Sequence, residues 1–472
     1  MYDAPQRLES RPEDDDITRV IEGIVSCLED EAERRVRMRA TTETRMIEDL
    51  RLYHGQYDAK VLQELDKSKK SQAFINLTGP KTDAFAAKLS DLLFPTEGRN
   101  WGIKPSPVPE MDRAEDKAET DLVRAQEQAQ GAAEAYQDTD SDDPAELQAL
   151  DMAREQAEAA VDEIQAAIDE LAELRADAKR RADLMQDEMD DQLKATNYQA
   201  ECRDMIEDAV KLGTGVLFGP VLSEKQHLRW QQSEMGFELV NAMDMRPGYK
   251  RRDPWGFFPD PDARSVDESE GFYYRHLLTK KELRKLARRP NVDKGAIRRI
   301  IQNDPEGTTP QGMASLYAVT GDQNHQVNGK YQLWEYVGPI EADKLQMLAD
   351  IYQDQALFDE AIGSAEIDPL TEIHARVEFC QGEVVSFALH PMESNEAVYT
   401  VFNIKKAEIG LFGFGIPYLM RDAQASFNAA WRAMMDNARL AVAPQVVVNA
   451  DVIQGYTEGA VMEPGKIWKR IS

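Results

Sequence analysis

One stretch near the C-terminus restricts the fold more than any other: Gly413-Phe414-Gly415-Ile416-Pro417, then Tyr418 to Val442, closed by Ala443-Pro444. Proline lacks an N–H and fixes φ, so it suits the first turn of a helix and cannot continue one. The two prolines therefore bracket one helix of about 25 residues, roughly 38 Å long. One side carries Leu419, Ala423, Phe427, Ala430, Trp431, Met434, Ala438 and Val442, at the three-four spacing of a buried stripe. The other carries Arg421, Gln424, Asn428, Arg432, Asp436 and Arg439. A helix with two such unlike faces needs a covering surface for the apolar one. The run Gln445 to Val448 that follows reads as a strand.

The chain has 472 residues and a formal charge of −30. That length supports about two to four domains, each with its own core. The charge argues against a simple DNA-gripping module, which would be basic. Much of it is local: between Glu110 and Lys194, 27 acidic residues oppose 9 basic ones. No apolar run approaches the ~18 residues of a membrane span. The acidic stretch from Met1 to Asp16 lacks the apolar core of a signal peptide. Cys27, Cys202 and Cys380 are too scattered for a disulfide framework and read as reduced, apolar fillers, which fits assembly in a reducing cytoplasm.

The expected fold class is α+β. Residues 1–15 read as a disordered arm and 16–109 as a helical region. There, Ile17, Val20, Ile21, Ile24 and Leu28 start a helix that continues, with a break, to a stop at Gly55. Thr78 is expected to cap a second helix whose apolar face is Phe85, Leu89, Leu92 and Leu93. Trp101 to Ile103 reads as a strand. Residues 110–200 form an acidic, alanine-rich helical insertion broken at Asp138–Asp143. Val161, Ile164, Ile168 and Leu171 make an αα-hairpin seam that continues through Leu174, Ala178, Ala182, Met185, Met189 and Leu193.

Residues 201–412 read as β-rich, with strands at Val216–Val221, Phe237–Val240, Phe272–His276, Gln332–Tyr336, Ala375–Phe379 and Val384–Leu389. Thr279 and Glu282 form a capping-box pattern for a short basic helix between them. Residues 302–327 read as loop, and Lys344 to Ile367 as a further helical insertion. The bracketed helix occupies 413–443.

Chemical signatures are sparse. Gly213-Thr214-Gly215 follows a helix and has no Lys-Ser/Thr partner, so it reads as a helix stop rather than a phosphate loop. Asp138, Asp140 and Asp142 have calcium-loop spacing, but Asp143 replaces the required glycine and Ala149 the bidentate glutamate. Asp260, Asp262, Asp267, Glu268 and Glu270 read as a turn. The six histidines make no zinc-type spacing. A dispersed Ser-His-Asp set leaves no mark such as a GxSxG elbow. No catalytic residue, metal or cofactor is expected, and an enzyme is the disfavoured class. A buried, shifted His–carboxylate pair in a pocket would revive it.

Two basic clusters stand out. Arg275 to Arg289 could contact phosphates, but it lacks interleaved stacking aromatics beyond Tyr273 and Tyr274, and a solvated helix face is the plainer reading. Lys466, Trp468, Lys469 and Arg470 form a smaller group that could face a partner protein or DNA.

Several blocks together resemble the portal, or head-to-tail connector, family of tailed bacteriophages of the podovirus type. They are LRLYHGQYDA (50–59), INLTGPKTDAFAAKLSDLLFPTEGRNWGIKPSPVPEM (75–111), VKLGTGVLFGP (210–220), DPWGFFPDPDARSVDESEGFYYRHLLTKKELRKLA (253–287), the Pro-bracketed helix and PGKIWKR (464–470). The resemblance implies a homo-oligomeric ring, usually a dodecamer, at one capsid vertex of the virion. Double-stranded DNA would pass through it, driven by a separate terminase motor, with capsid and tail adaptor proteins as further partners. Mapped here, residues before 413 resemble the wing, 413–443 the first stem helix, and 444–472 the start of an α/β clip. A second stem helix, tunnel loop and crown would belong beyond Ser472.

In that mapping Arg421, Asn428, Arg432, Asp436 and Arg439 face the channel or a neighbouring subunit. Phe427, Trp431 and Met434 pack subunits together, and Lys466, Trp468, Lys469 and Arg470 meet a clip partner. A different structural protein, a scaffold built on the Ala/Glu hairpin, is the alternative.

Overall fold

The computed structural model describes residues 14–95, 99, 101–105, 109–137, 144–233, 236–289, 292–303, 305, 311–321, 329–341, 344, 372–389, 398–442, 446–449 and 467–470. The chain is α+β and divides into two units, 94–196 and the remainder.

The first unit opens with α1 (Asp14–His54), a continuous helix without the anticipated break, ended at Gly55, whose φ is +71°. Residues 1–13 of the expected arm lie outside the described residues. Then come α2 (Ala59–Lys67) and α3 (Thr78–Leu93). After the second unit, α6 (Tyr198–Leu212) leads into a long antiparallel hairpin, β1 (Thr214–Ser233) and β2 (Gly236–Arg252). These strands run well past the short ones expected, because backbone pairing continues from Val221↔Gly248 out to Ser233↔Gly236.

A five-stranded antiparallel meander follows: β3 (Phe257–Phe258), β4 (Phe272–Leu278), β5 (Tyr331–Glu341), β6 (Glu372–Cys380) and β7 (Glu383–Leu389). Between β4 and β5 lie α7 (Lys280–Leu286), α8 (Lys294–Gln302) and α9 (Gln311–Thr320). Thr279 and Glu282 form the capping box of α7 as its sequence dictates. The α9 helix overturns the loop expected for 302–327. Met313, Leu316 and Val319 share a face, and they pack with Met46, Leu50, Leu212 and Trp255. The proposed helix beyond Lys344 lies outside the described residues. β8 (Tyr399–Asn403) completes a sheet of order β2-β1-β8; α10 (Ile416–Val442) is the Pro-bracketed helix. Finally β9 (Val446–Asn449) pairs in parallel with β10 (Ile467–Arg470).

Alternation along the strands buries both faces of the meander. Tyr273, Tyr336, Val377 and Phe379 point to one side, against Ile24, Val25 and Ala32 of α1. Phe272, Tyr274 and Val337 point to the other, against Val216, Phe218 and Tyr399 of the smaller sheet. Arginines of α1 reach into this core. Arg35 donates to the Gly271 carbonyl at 2.6 Å, and Arg39 to the Pro254 and Trp255 carbonyls at 3.0 Å each. Their aliphatic stems and planar heads cover aromatic rings while the N–H groups satisfy loop carbonyls.

The second unit is the α4 (Pro109–Gln137) and α5 (Pro144–Ala195) hairpin; the break at Asp138–Asp143 lies outside the described residues. Val161, Ile164, Ile168 and Leu171 are half-buried and Ala182 buried, but Leu174, Met185 and Met189 are exposed. At 3.6 residues per turn the seam passes Leu171, Arg175, Ala178, Ala182 and Gln186, leaving those three outside it. Trp101 to Ile103 is no strand; the Ile103 N–H donates instead to Gln186 Oε1 at 2.9 Å.

Candidate functional site

The lead-in to α10 is fixed by two glycine motifs lying backbone against backbone. Gly213 ends α6 with φ of +96°, and a side chain there would collide with the Gly413 carbonyl. A Cβ on Gly415 would meet the Val210 carbonyl at 2.8 Å. The Thr214 hydroxyl closes the contact by accepting from the Gly413 N–H at 2.8 Å. Gly213-Thr214-Gly215 is thus the seat of the α10 lead-in, which only glycine's missing Cβ permits.

From that seat α10 runs beside the extended segment 71–77, which belongs to no sheet, so its backbone groups need other partners. The polar stripe of α10 supplies them. Gln424 Oε1 accepts from the Leu77 and Thr78 N–H groups at 3.0 and 3.1 Å, and its amide donates to the Ile75 carbonyl at 2.6 Å. Asn428 Oδ1 accepts from the Ile75 N–H at 3.1 Å, and Asp436 Oδ1 from the Ser71 N–H at 2.8 Å. Arg432 donates to the Tyr57 hydroxyl and lies over its ring. As the helix number rises the segment number falls, so the two run antiparallel.

This placement corrects two expectations. Asn428, Arg432 and Asp436 were assigned to a channel or neighbour surface, yet all three hold segment 57–77 of their own chain. Gln424 and Asn428 are only 1% and 2% exposed. Arg421 also turns inward, 3.1 Å from Glu48 and 3.4 Å from Asp49, while Arg439 is exposed. The second correction concerns α3. Thr78 begins the helix rather than capping it; its own N–H is satisfied by Gln424, and the next, of Gly79, by Asn76 Oδ1 at 2.9 Å. Its buried residues are Thr78, Gly79, Thr82 and Ala86, small enough to approach α10 and α6 closely, whereas Phe85 and Leu92 are exposed.

The apolar stripe of α10 is correspondingly outside. Phe427, Met434 and Val442 are 39%, 51% and 85% exposed, Leu419 and Met435 are exposed too, and Trp431 is half-buried. The Phe427 and Trp431 rings lie nearly parallel, 13° apart, with centroids at 6.5 Å. Lys466 lies outside the described residues. Trp468, Lys469 and Arg470 fall on β10, beside Val447, Val448 and Asn449.

Where α1 meets α10, Asp49 is fully buried between Arg421 and Arg45. Burial pushes its carboxyl up to about 6 against the pull of the two guanidiniums. The Arg45 head stacks on Phe414 and donates to the Gly413 carbonyl at 2.9 Å, tying the same helix to the glycine seat.

A second polar cluster was not legible in the sequence. Glu335 is fully buried and meets Arg252, Arg376 and His276, each at 2.8 Å. A buried His–carboxylate contact therefore exists. It is built as an ionic clamp joining β2 to β4, β5 and β6, because the two arginines hold the Glu335 carboxyl well below its ordinary range. A carboxylate so stabilised is a poor proton acceptor for its histidine. Cavities of about 300 and 210 Å³ lie elsewhere, beside Gly271 and beside Arg39, and neither includes His276 or Glu335. Among the described residues no three potential metal ligands gather. The Asp260–Glu270 acids form a turn, with Asp262 N–H donating to Asp260 and Arg264 N–H to Glu268.

No protein-family model matches the chain, and no curated protein matches it with significance.

Proposed function

We propose that this chain is a portal-type subunit that assembles into a ring around a channel for double-stranded DNA. α10 is then the stem helix, with terminase, capsid and tail adaptor proteins as partners at a virion vertex. One observation carries the reading: α10 spends its polar stripe on its own chain and leaves its apolar stripe in solvent. Fully burying a Leu, Phe or Met side chain is worth about 1.5–3 kcal/mol, so an exposed row of them favours association. A neighbouring copy that covers this stripe with a different part of its own surface makes a heterologous contact, and repetition of that contact about an axis closes a ring. The sequence blocks from 50 to 470 support the portal assignment within the class of ring-forming proteins. The clip mapping of 444–472 and the role of Lys466 to Arg470 rest on that resemblance alone.

The test is negative-stain electron microscopy of the purified chain. Rings of about twelvefold symmetry with a central hole are expected. Single copies at every concentration, with Phe427 and Trp431 reactive to solvent probes, would overturn the assignment.

A further inference from the structure

We infer that the outward face of α7 and α8, elements distinct from α10, binds the phosphate backbone of duplex nucleic acid. The α7 helix and its exit turn expose Lys281, Arg284, Lys285 and Arg288, and α8 exposes Lys294 and Arg298. None of these six makes an ion pair among the described residues, in a chain whose net charge is −30. Arg299, by contrast, is neutralised by a two-pronged contact with Glu383 at 2.6 and 2.8 Å. Glu282, exposed on α7, is engaged in the capping box, accepting from the Thr279 N–H at 2.7 Å. At physiological salt the screening length is about 8 Å, so a phosphate at this face is governed chiefly by the charges within that distance.

The platform is rigid. Leu283 and Leu286 of α7 and Ile297 and Ile300 of α8 are buried with Tyr331, Leu333 and Val385 of the meander. The Asp293 N–H donates to the Val385 carbonyl at 2.8 Å, and Tyr331 donates to the Asn303 carbonyl at 3.2 Å. The backbone that carries these cations is already ordered, so binding has only their side chains to immobilise.

The same face selects among anionic partners. Among its described residues it exposes no large apolar side chain, and protein interfaces depend on such anchors at their centre. It exposes no aromatic ring either: Tyr273 and Tyr274 on the preceding strand are buried, so unpaired bases have nothing to stack on. What remains is phosphate recognition, which needs only charge.

The experiment uses the full chain and a covalently closed duplex minicircle, which cannot thread a preformed ring. It compares wild type with Lys281→Glu/Lys285→Glu/Arg288→Glu and with a charge-matched control, Lys60→Glu/Lys88→Glu/Lys406→Glu. Circular dichroism melts confirm folding. Wild type and control should retain the minicircle at about 50 mM salt. The patch variant should bind at least tenfold more weakly, its salt slope smaller by about 3. Equal loss in both variants, or no wild-type binding, would overturn the site. Tighter binding of single strands of equal length, or displacement of the minicircle by polyglutamate at equal charge, would also overturn it, the latter reassigning the face to an acidic protein. None of these outcomes depends on whether the chain forms rings.

Discussion

Gln424 caps a helix to which it does not belong: its Oε1 accepts from the N–H and the hydroxyl of Thr78, the first residue of α3, at 3.1 and 3.0 Å. Helix starts leave orphan N–H groups, and here a side chain 346 positions away satisfies them. The contact joins α10 to α3 through a residue that amphipathic patterning alone would place in solvent.

Gln424→Ala should therefore be costly. It leaves the buried Thr78 N–H and the half-buried Leu77 N–H and Ile75 carbonyl without this partner. A loss of about 2–4 kcal/mol in unfolding free energy is expected. Asn428→Ala, which removes one such bond, should cost about 1 kcal/mol. Urea denaturation separates the two; equal, negligible effects would show that the ladder does not hold α10.

The opposite face should behave in the opposite way. Phe427→Asp and Trp431→Asp alter side chains that the single chain leaves exposed or half-buried. Monomer stability should change by less than about 1 kcal/mol. Assembly, read by sedimentation velocity, should be lost. Rings that persist in both variants would place the subunit contact elsewhere.

Asp49 gives a pH signature with a defined sign. Its folded value, about 6, lies above its unfolded value, so the folded state binds the extra proton between roughly pH 4 and 6. Its contribution is present below that window and is lost as pH rises through it. Asp49→Asn cannot ionise. Relative to wild type it should gain about 1–3 kcal/mol at pH 7 and nothing at pH 4. Denaturation at pH 4, 5.5 and 7 measures the difference, and a constant offset would refute the assignment.

Glu335→Gln should be among the most damaging single changes. It leaves Arg252 without its carboxylate partner and Arg376 with Glu378 alone, at a cost of about 3–5 kcal/mol. Glu383→Gln, which breaks a half-exposed pair with Arg299, should cost about 1 kcal/mol or less. Thermal melts of the two variants give the comparison.

Much of the architecture was legible in the residues themselves. Pro417 and the stop at Ala443-Pro444 bracketed α10, Gly55 and Gly213 ended helices at positive φ, and Thr279 with Glu282 opened α7. Alternating Phe, Tyr and Val located the meander strands. These are local matters, decided by backbone geometry within a few residues. The α9 helix was missed because its Gly- and Pro-rich flank reads as loop, while Met313, Leu316 and Val319 find their cover in α1 and Trp255, far away in sequence.

The sequence by itself determined that α10 has two unlike faces and where it begins and ends. Only the tertiary structure decided which face turns inward. Hydrophobicity states which stripe gains by leaving water, but not whether the covering surface belongs to the same chain. The unpaired backbone of segment 71–77 made that choice. Its N–H and C=O groups require polar partners, so Gln424, Asn428 and Asp436 are drawn inside and Phe427 and Met434 are left on the surface.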